Sequence, residues 1–355
     1  MSQKYLKELT DALAELLANQ KVSFAYREER PDLWEDGVKG LDYCAVGLMP
    51  VMIDYQLAYA MSLENSVALD VSLILLQDRK PCGLWCLSLV QQNSELKLGS
   101  NGGPLEGPVL FSSVGRRQAG DFYKKCIAVV TEFNARLKQL SLVSVQAFNA
   151  SDAQISQWQD LFLRKGADVR IEYDLFLDLK PEVTAIKGRL RDSYKSLINV
   201  GYRTWKVCVL DTNSPLIWNE FKALHLAVAG RTTRSEITWA LQLEAINQGK
   251  AFLVYLRDSQ ENMVGGGLFY YSRDESLYAV GAYDRDLFDK PVGHVVQFHA
   301  VALLKEKGVR WHKLGAQVYQ STIPTPSAKE LAISDFKRGF SSHIFPRYVM
   351  NYQVQ

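Results

Sequence analysis

The sequence predicts an α/β fold of α+β character, built twice in succession, each copy a mixed and mainly antiparallel sheet flanked by helices. Three observations lead there. At 355 residues the chain exceeds one ordinary domain, and two domains of roughly 150–200 residues are the natural division. Each half contains three strand-like runs joined by short turns, then helix, strand, helix, strand. The order of the first half recurs in the second, which is an internal duplication. The expected domains are 1–180 and 181–355.

The first half opens on an amphipathic helix over 4–19, followed by an aromatic and acidic loop region to about Gly47. Apolar runs at 71–76 and 82–90 read as strands, with a turn by composition at 77–81. A short strand at 95–98 leads into the Gly/Pro-rich segment 99–108. A helix over 116–139, a strand at 142–146, a helix over 153–165 and a strand at 171–177 complete it. In the second half, helices at 215–229 and 235–248 precede strands at 251–256, 263–271 and 276–283. A helix over 291–307, a strand at 309–314, a helix over 328–337 and a strand at 345–352 follow. Between the halves, 182–199 reads as one basic helix carrying Lys187, Arg189, Arg191 and Lys195. It serves either as a linker with a solvated charged face or as a source of cations for a phosphate-bearing ligand at an interdomain groove.

The bulk numbers exclude several classes. Lys+Arg of 41 against Asp+Glu of 39 gives a formal charge of +2, so nothing demands DNA or RNA, and a tRNA partner would need a local basic patch. No apolar run reaches the roughly 20 residues of a membrane span. The N-terminus lacks a basic segment followed by an apolar one, so no signal peptide and a cytoplasmic location are expected. Five cysteines leave one over in any full pairing, and are expected as buried, reduced thiols; Cys82 and Cys86, four apart in a strand, should share one face and one core. His294 and His299 diverge by about 140° on a helix, so no metal is expected. Gly265-Gly266-Gly267 lies inside a strand, which makes it a surface approached closely by a ligand or another backbone rather than a dinucleotide loop.

The order of elements in each half resembles the Gcn5-related N-acetyltransferase (GNAT) fold. Particular segments carry a further resemblance. Residues 191–207 look like a basic helix running into a first strand; Phe221-Lys-Ala-Leu-His, then Arg231-Thr-Thr-Arg234 and Gly249-Lys-Ala-Phe-Leu-Val, look like the next two helices and second strand. Ile333-Ser-Asp-Phe-Lys-Arg-Gly-Phe340 looks like a Phe-Lys-x-x-Phe-Gly-Gly signature, with Ser341-Ser342 where the glycine pair would stand. Together these resemble the FemABX family, whose members transfer amino acids from aminoacyl-tRNA to amines of peptidoglycan precursors. The long helical arm that some members carry for tRNA is absent.

The resemblance implies the site. Lys337 would stabilise an oxyanion or the ester-linked donor, with Phe336 packed beside it. Gly281 marks where the fourth strand of the second half would bulge or be approached by the donor carbonyl. Asp284 could take the proton of the attacking amine. Arg231 and Arg234 would bind acceptor phosphate, joined by Arg191 and Lys195 from the basic helix and by Tyr283 and Arg285 at the strand end. Acyl-CoA users open the next helix with a glycine-rich pyrophosphate loop; here Lys290 and Gly293 occupy that place in a degenerate form. The first half has no such loop and is expected to be scaffold or acceptor-binding partner. The expectation is an N-acyltransferase or aminoacyltransferase acting on an amine of a nucleotide-linked sugar or peptidoglycan-type precursor. Its expected part is in cell-envelope glycan biosynthesis, as a monomer or homodimer with no tightly bound cofactor, and aminoacyl-tRNA or acyl-CoA is the donor. The alternatives are a CoA-dependent N-acetyltransferase on another small amine and a non-catalytic duplicated binding protein.

Overall fold

The structure is a computed structural model that describes residues 3–93, 95–145 and 155–354. The expected end of one strand at 146 and start of one helix at 153 lie outside the described residues. The chain forms two compact units, Met1–Ile171 with Arg347–Gln355, and Glu172–Pro346. The division therefore falls before residue 180, and the last strand ends in the first unit.

The first unit begins with α1 (Gln3–Asn19), whose Leu9, Leu13, Leu16 and Leu17 form one buried stripe at helical spacing. Then come β1 (Ser23–Tyr26), α2 (Pro31–Gly40) and α3 (Pro50–Met61). The loop expected up to Gly47 thus contains a strand and a helix. Pro31 opens α2 at its first turn, where its missing N–H costs nothing, and fully buried Trp34 anchors it by donating Nε1–H to the Leu48 carbonyl at 3.0 Å.

The expected strand at 71–76 is β3 (Leu73–Gln77), that at 82–90 is cut into β4 (Lys80–Trp85) and β5 (Ser88–Gln92), and a strand that was not expected, β2 (Ser66–Asp70), precedes them. Ser72 makes the break: its Oγ accepts from Leu87 N at 3.1 Å and donates to Leu87 O at 3.2 Å, taking the place of a ladder rung. β3 and β4 join β1 in one sheet, and in another β5 pairs with β2 on one side and with β6 (Glu95–Gly99) on the other. A register shift opposite Leu75 and Leu76 leaves Cys82 as an extra residue and changes the phase of β4. Cys82 consequently packs with Leu13 and Phe133, while Cys86 packs with Trp34 and Ile53, so the two thiols do not share a core. Burial pushes them up to about 11 and about 12. None of the five cysteines is in a disulfide among the described residues; four are buried and Cys208 is half-buried. The unit continues through β7 (Leu105–Glu106), β8 (Val109–Leu110), α4 (Arg116–Arg136), β9 (Ser141–Val145) and α5 (Gln157–Arg164), whose Ser156 and Gln159 form a capping box. β10 (Asp168–Asp178) carries the chain onward.

In the second unit the expected single basic helix is two, α6 (Val183–Arg189) and α7 (Asp192–Thr204). The chain turns extended at Leu190, and Arg191 N donates to the Gly339 carbonyl at 3.1 Å. Next are β11 (Lys206–Leu210), α8 (Pro215–Ala229), α9 (Glu236–Asn247), β12 (Ala251–Arg257), β13 (Met263–Tyr271) and β14 (Glu275–Tyr283). The last elements are α10 (Val292–Glu306), β15 (Trp311–Gln317), α11 (Ala328–Arg338) and β16 (His343–Gln353). Strands β11 to β14 pair antiparallel in order, β14 pairs parallel with β15, and β15 pairs antiparallel with β10. The three glycines of β13 have side chains closest to them, and a Cβ on Gly266 would also stand 3.3 Å from the Val254 carbonyl oxygen. A Cβ on Gly265 would meet Tyr283 at 2.9 Å, one on Gly266 Phe221 at 3.1 Å, and one on Gly267 Val296 at 2.9 Å.

Helices α7 and α10 lie over a core that includes Leu175, Ile198, Val254, Phe269, Val295 and Leu314. Their close crossing depends on Gly201, where any Cβ would collide with Val295. Gly201→Ala should lower unfolding stability by about 1–3 kcal/mol in urea denaturation, the usual cost of overpacking. Adding Val295→Ala should recover part of that loss; two independent, additive penalties would contradict the close crossing.

Candidate functional site

Strands β14 and β15 run side by side for three rungs only, Glu275–Trp311, Ser276–His312 and Leu277–Lys313. Beyond them the strands part, leaving backbone groups of 278–283 without a strand partner on that edge. Both strands bulge where they separate. On β14 the register against β13 shifts between Leu268 and Phe269, so Ala279 is the extra residue. On β15 the register against β10 shifts between Leu175 and Phe176, so Leu314 is extra, and Gly315 adopts φ +123°, open to glycine at little cost.

Lys337 fills the space so created. A Cβ on Gly315 would stand 2.7 Å from its Nζ, and the ammonium lies 5.6 Å from the centroid of the Tyr278 ring. Among the described residues it has no carboxylate or hydrogen-bond partner. Burial holds its pKa below the ordinary lysine value. The helix that delivers it is well built. Ser327 and Glu330 close a capping box at the start of α11, and Ser334 Oγ receives the Gln317 amide at 2.9 Å and the Val318 N–H at 3.0 Å.

Phe336, one residue earlier, packs in an aromatic cluster with His294 at 5.2 Å, Phe340 at 5.5 Å and Tyr194 at 5.9 Å between ring centroids. Its ring also explains Gly293, where a Cβ would meet Phe336 at 3.1 Å and Tyr283 at 3.7 Å. The glycine that opens α10 is therefore accounted for by aromatic packing, and Lys290 pairs with Asp289 at 3.1 Å. Burial, with the Arg191 charge second, pushes His294 down to about 4.

Gly281 lies on the parted edge of β14, with the Tyr278 hydroxyl over it where a Cβ would collide. The Tyr278 and Tyr283 hydroxyls are 3.0 Å apart, and burial raises the pKa of both, so both phenols stay protonated. Asp284 caps the short turn that follows, Oδ1 accepting the Asp286 N–H at 3.0 Å, while Oδ2 has no hydrogen bond among the described residues. Arg285 turns away to donate to the Val228 carbonyl at the end of α8.

The basic groups divide. Arg191 is held by Asp335 through two contacts of 2.9 and 2.8 Å and so ties α7 to α11; its carboxylate partner is held below the usual range by that bond. Lys195 pairs with Asp192 at 2.9 Å on an exposed face. Arg231 and Arg234 do come together, on an open pocket of about 310 Å³ with Lys222, His225 and Trp239. Arg234 lies 5.6 Å from the Trp239 ring centroid and 3.1 Å from His225 Nε2, whereas Arg231 is exposed and has no partner among the described residues.

Three features of the site escaped the sequence reading. Ser276 Oγ and His312 Nδ1 lie 2.7 Å apart on the last paired region, and buried His312 Nε2 has no hydrogen-bond partner among the described residues. Burial, then the Lys337 charge, pushes this imidazole down to about 3, so it is neutral. Gly315 and Tyr278 were the others. Glycine three residues after a strand-borne histidine was the available signal, and it is a weak one. No group of three or more His, Cys, Asp or Glu among the described residues could hold a metal ion. No helix among them is long and apolar enough to cross a membrane.

No family model and no curated protein sequence matches the chain. Solved structures do. FemX is similar at a TM-score of 0.66 with 9% identity, over 92% of this chain and 96% of that one. L-PGS from Bacillus licheniformis is similar at 0.54 with 14% identity, over 92% of each chain. A tandem GNAT protein from the clavulanic acid biosynthesis pathway is similar at 0.50 with 13% identity, over 94% and 99%. The fold is a FemX-like tandem GNAT fold. The parted β14 and β15 are thus the fourth and fifth strands of the second GNAT unit. In the first unit the matching strands, β6 and β9, border an open cavity of about 410 Å³ lined by Lys97, Gly99 and Ser141.

An ammonium half-buried without a counter-ion costs stability. The folded protein releases the Lys337 proton at lower pH than the unfolded chain, so between the two pKa values the unfolded chain binds more protons and stability rises with pH. Lys337→Met should therefore be at least as stable as the parent at neutral pH. Its advantage should shrink as pH rises toward the ordinary lysine value of 10.5. Chemical denaturation at several pH values checks this; a variant less stable at neutral pH would show that the charge is satisfied in place.

Proposed function

We propose that the second unit transfers an acyl or aminoacyl group from an ester or thioester donor to an amine of a nucleotide-linked sugar or peptidoglycan-type precursor. The observation that carries this reading is Lys337, a cation without a counter-ion placed in the gap between β14 and β15. Attack of an amine on a carbonyl makes a tetrahedral oxyanion, and a fixed positive charge in a poorly solvated gap stabilises that charge more than it stabilises the neutral carbonyl. The edge of 278–283 that faces away from β13 supports the same role, since N–H groups on that edge can donate to the oxyanion. Asp284, with Oδ2 unengaged, is the group proposed to take the amine proton. Arg231 and Arg234 are proposed to meet acceptor phosphate; Arg191 serves instead to hold α11, and Lys195 is left on the surface with Asp192. The first unit is assigned the part of scaffold or acceptor-binding partner.

The solved neighbours support transfer as a class, FemX and a tandem GNAT protein being built on this fold. Between donors, the packing of Phe336 over Gly293 favours an aminoacyl ester over CoA, whose pyrophosphate needs the opening turn of α10 uncovered. A mass-spectrometric screen of amine-bearing UDP- and CMP-sugars against charged tRNA and acyl-CoA donors identifies the pair. No product and no thermal shift with any donor or acceptor would leave the duplicated domain as a binding protein.

With an active pair in hand, Lys337→Met should lower kcat/KM by about 10²–10³, as loss of one oxyanion donor does elsewhere. The ammonium is the working form and burial lowers its pKa, so activity should fall with rising pH before the ordinary lysine range is reached. That alkaline limb should be absent from the residual rate of the variant. An unchanged rate in Lys337→Met would remove the lysine from the reaction.

A further inference from the structure

We infer that Lys337 is itself an acylation site, taking the acyl group of an activated ester or thioester whose carbonyl enters the gap between β14 and β15. This rests on the placement of the donor carbonyl proposed above. The side chain is the cation of the gap, its Nζ beside the bare backbone of Gly315 and over the Tyr278 ring, with no carboxylate to hold its proton. The groups around it leave it that way. From β14 comes Tyr278 and from β15 His312, both uncharged at neutral pH, and from α10 His294, neutral as well. Lys313 of β15 pairs with Asp174 of β10 at 3.1 Å. On α11 itself, Asp335 is occupied by Arg191, the residue just before α7, and Arg338 reaches Gln317 and Tyr319.

Burial disfavours the charged form of a lysine so placed, and the free amine is the nucleophilic form. Nζ attacks the carbonyl carbon, the C–S or C–O bond breaks, and the thiolate or alkoxide leaves with the proton that Nζ sheds. The product is an N-acyl-lysine amide. It carries no charge, so the acylated protein loses the cation proposed to act on the oxyanion. Protonation of Lys337 thus both serves transfer and protects the site from its own donor, and self-acylation should grow as pH rises.

The test uses the whole chain, incubated in parallel with 4-nitrophenyl acetate and with acetyl-CoA at neutral and alkaline pH, with acylation of each lysine followed by peptide mass spectrometry. Lys329, exposed on the same helix, is the internal reference. Lys337 should be acetylated about tenfold faster than Lys329 at neutral pH in at least one arm, from its orientation beside the entering carbonyl. The arm that labels tells whether a small activated ester or a CoA thioester is the source. Equal or slower labelling of Lys337 in both arms overturns the inference. Transfer by Lys337→Met separates the two readings. Labelling at Lys337 with transfer intact in the variant sinks the proposed function alone, whereas lost transfer without labelling sinks the acylation site alone.

Discussion

The early end of the β14–β15 ladder is the constraint on which the second unit turns. Two parallel strands that stopped pairing inside a core would strand polar backbone in an apolar surround, at a cost comparable to lost hydrogen bonds. The structure meets this with a bulge on each strand, a hydroxyl–imidazole contact between Ser276 and His312 at the point of divergence, and an ammonium in the opening. Each element depends on the others. Gly315 adopts φ +123° and, having no Cβ, leaves room for Lys337, and Gly281 leaves room for the Tyr278 hydroxyl.

Holding the lysine there falls to its neighbours on α11 and just after its end. Phe336 and Phe340 sit on either side of it in sequence and pack against Tyr194 and His294, with Tyr194 donating to the Phe336 carbonyl at 3.0 Å. Aromatic pairs of this kind add roughly 0.5–1.5 kcal/mol beyond their buried area. The Arg191–Asp335 pair spans the same two helices but is exposed, where such bonds contribute little. The aromatic cluster therefore fixes α11, and the ion pair orients it. The two repeats differ at this point: the strands of the first unit border an open cavity, while those of the second enclose a charge.

Much of the order of elements was legible because hydrophobic runs and turn residues report local structure. The helices over α8, α9 and α10, and the strands β12 and β13, follow apolar periodicity and Pro/Gly punctuation at their ends. Lys337 and Phe336 were visible only through a resemblance, and Lys337 alone on an amphipathic helix reads as a solvated surface charge. What stayed hidden was long-range. The bond between Arg191 and Asp335 joins residues far apart in the chain, so the basic helix read as phosphate-seeking when one of its cations was already engaged. Cys82 and Cys86 obeyed the alternation of a regular strand until a single bulge changed its phase. Gly265–Gly267 looked like an approach surface, and Phe221, Val296 and Tyr283 occupy it from outside the strand.

The placement of the reaction in the gap is tested most directly by titrating the Lys337 ammonium by NMR, free and with a phosphonate analogue of the tetrahedral adduct formed from the donor carbonyl and the acceptor amine. An oxyanion mimic lodged beside a half-buried cation stabilises its charged form. The expected result is a rise in the Lys337 pKa on binding, with shifts in the backbone amides of 278–283. Saturable binding that leaves both the lysine and those amides unmoved would contradict it and place the chemistry elsewhere.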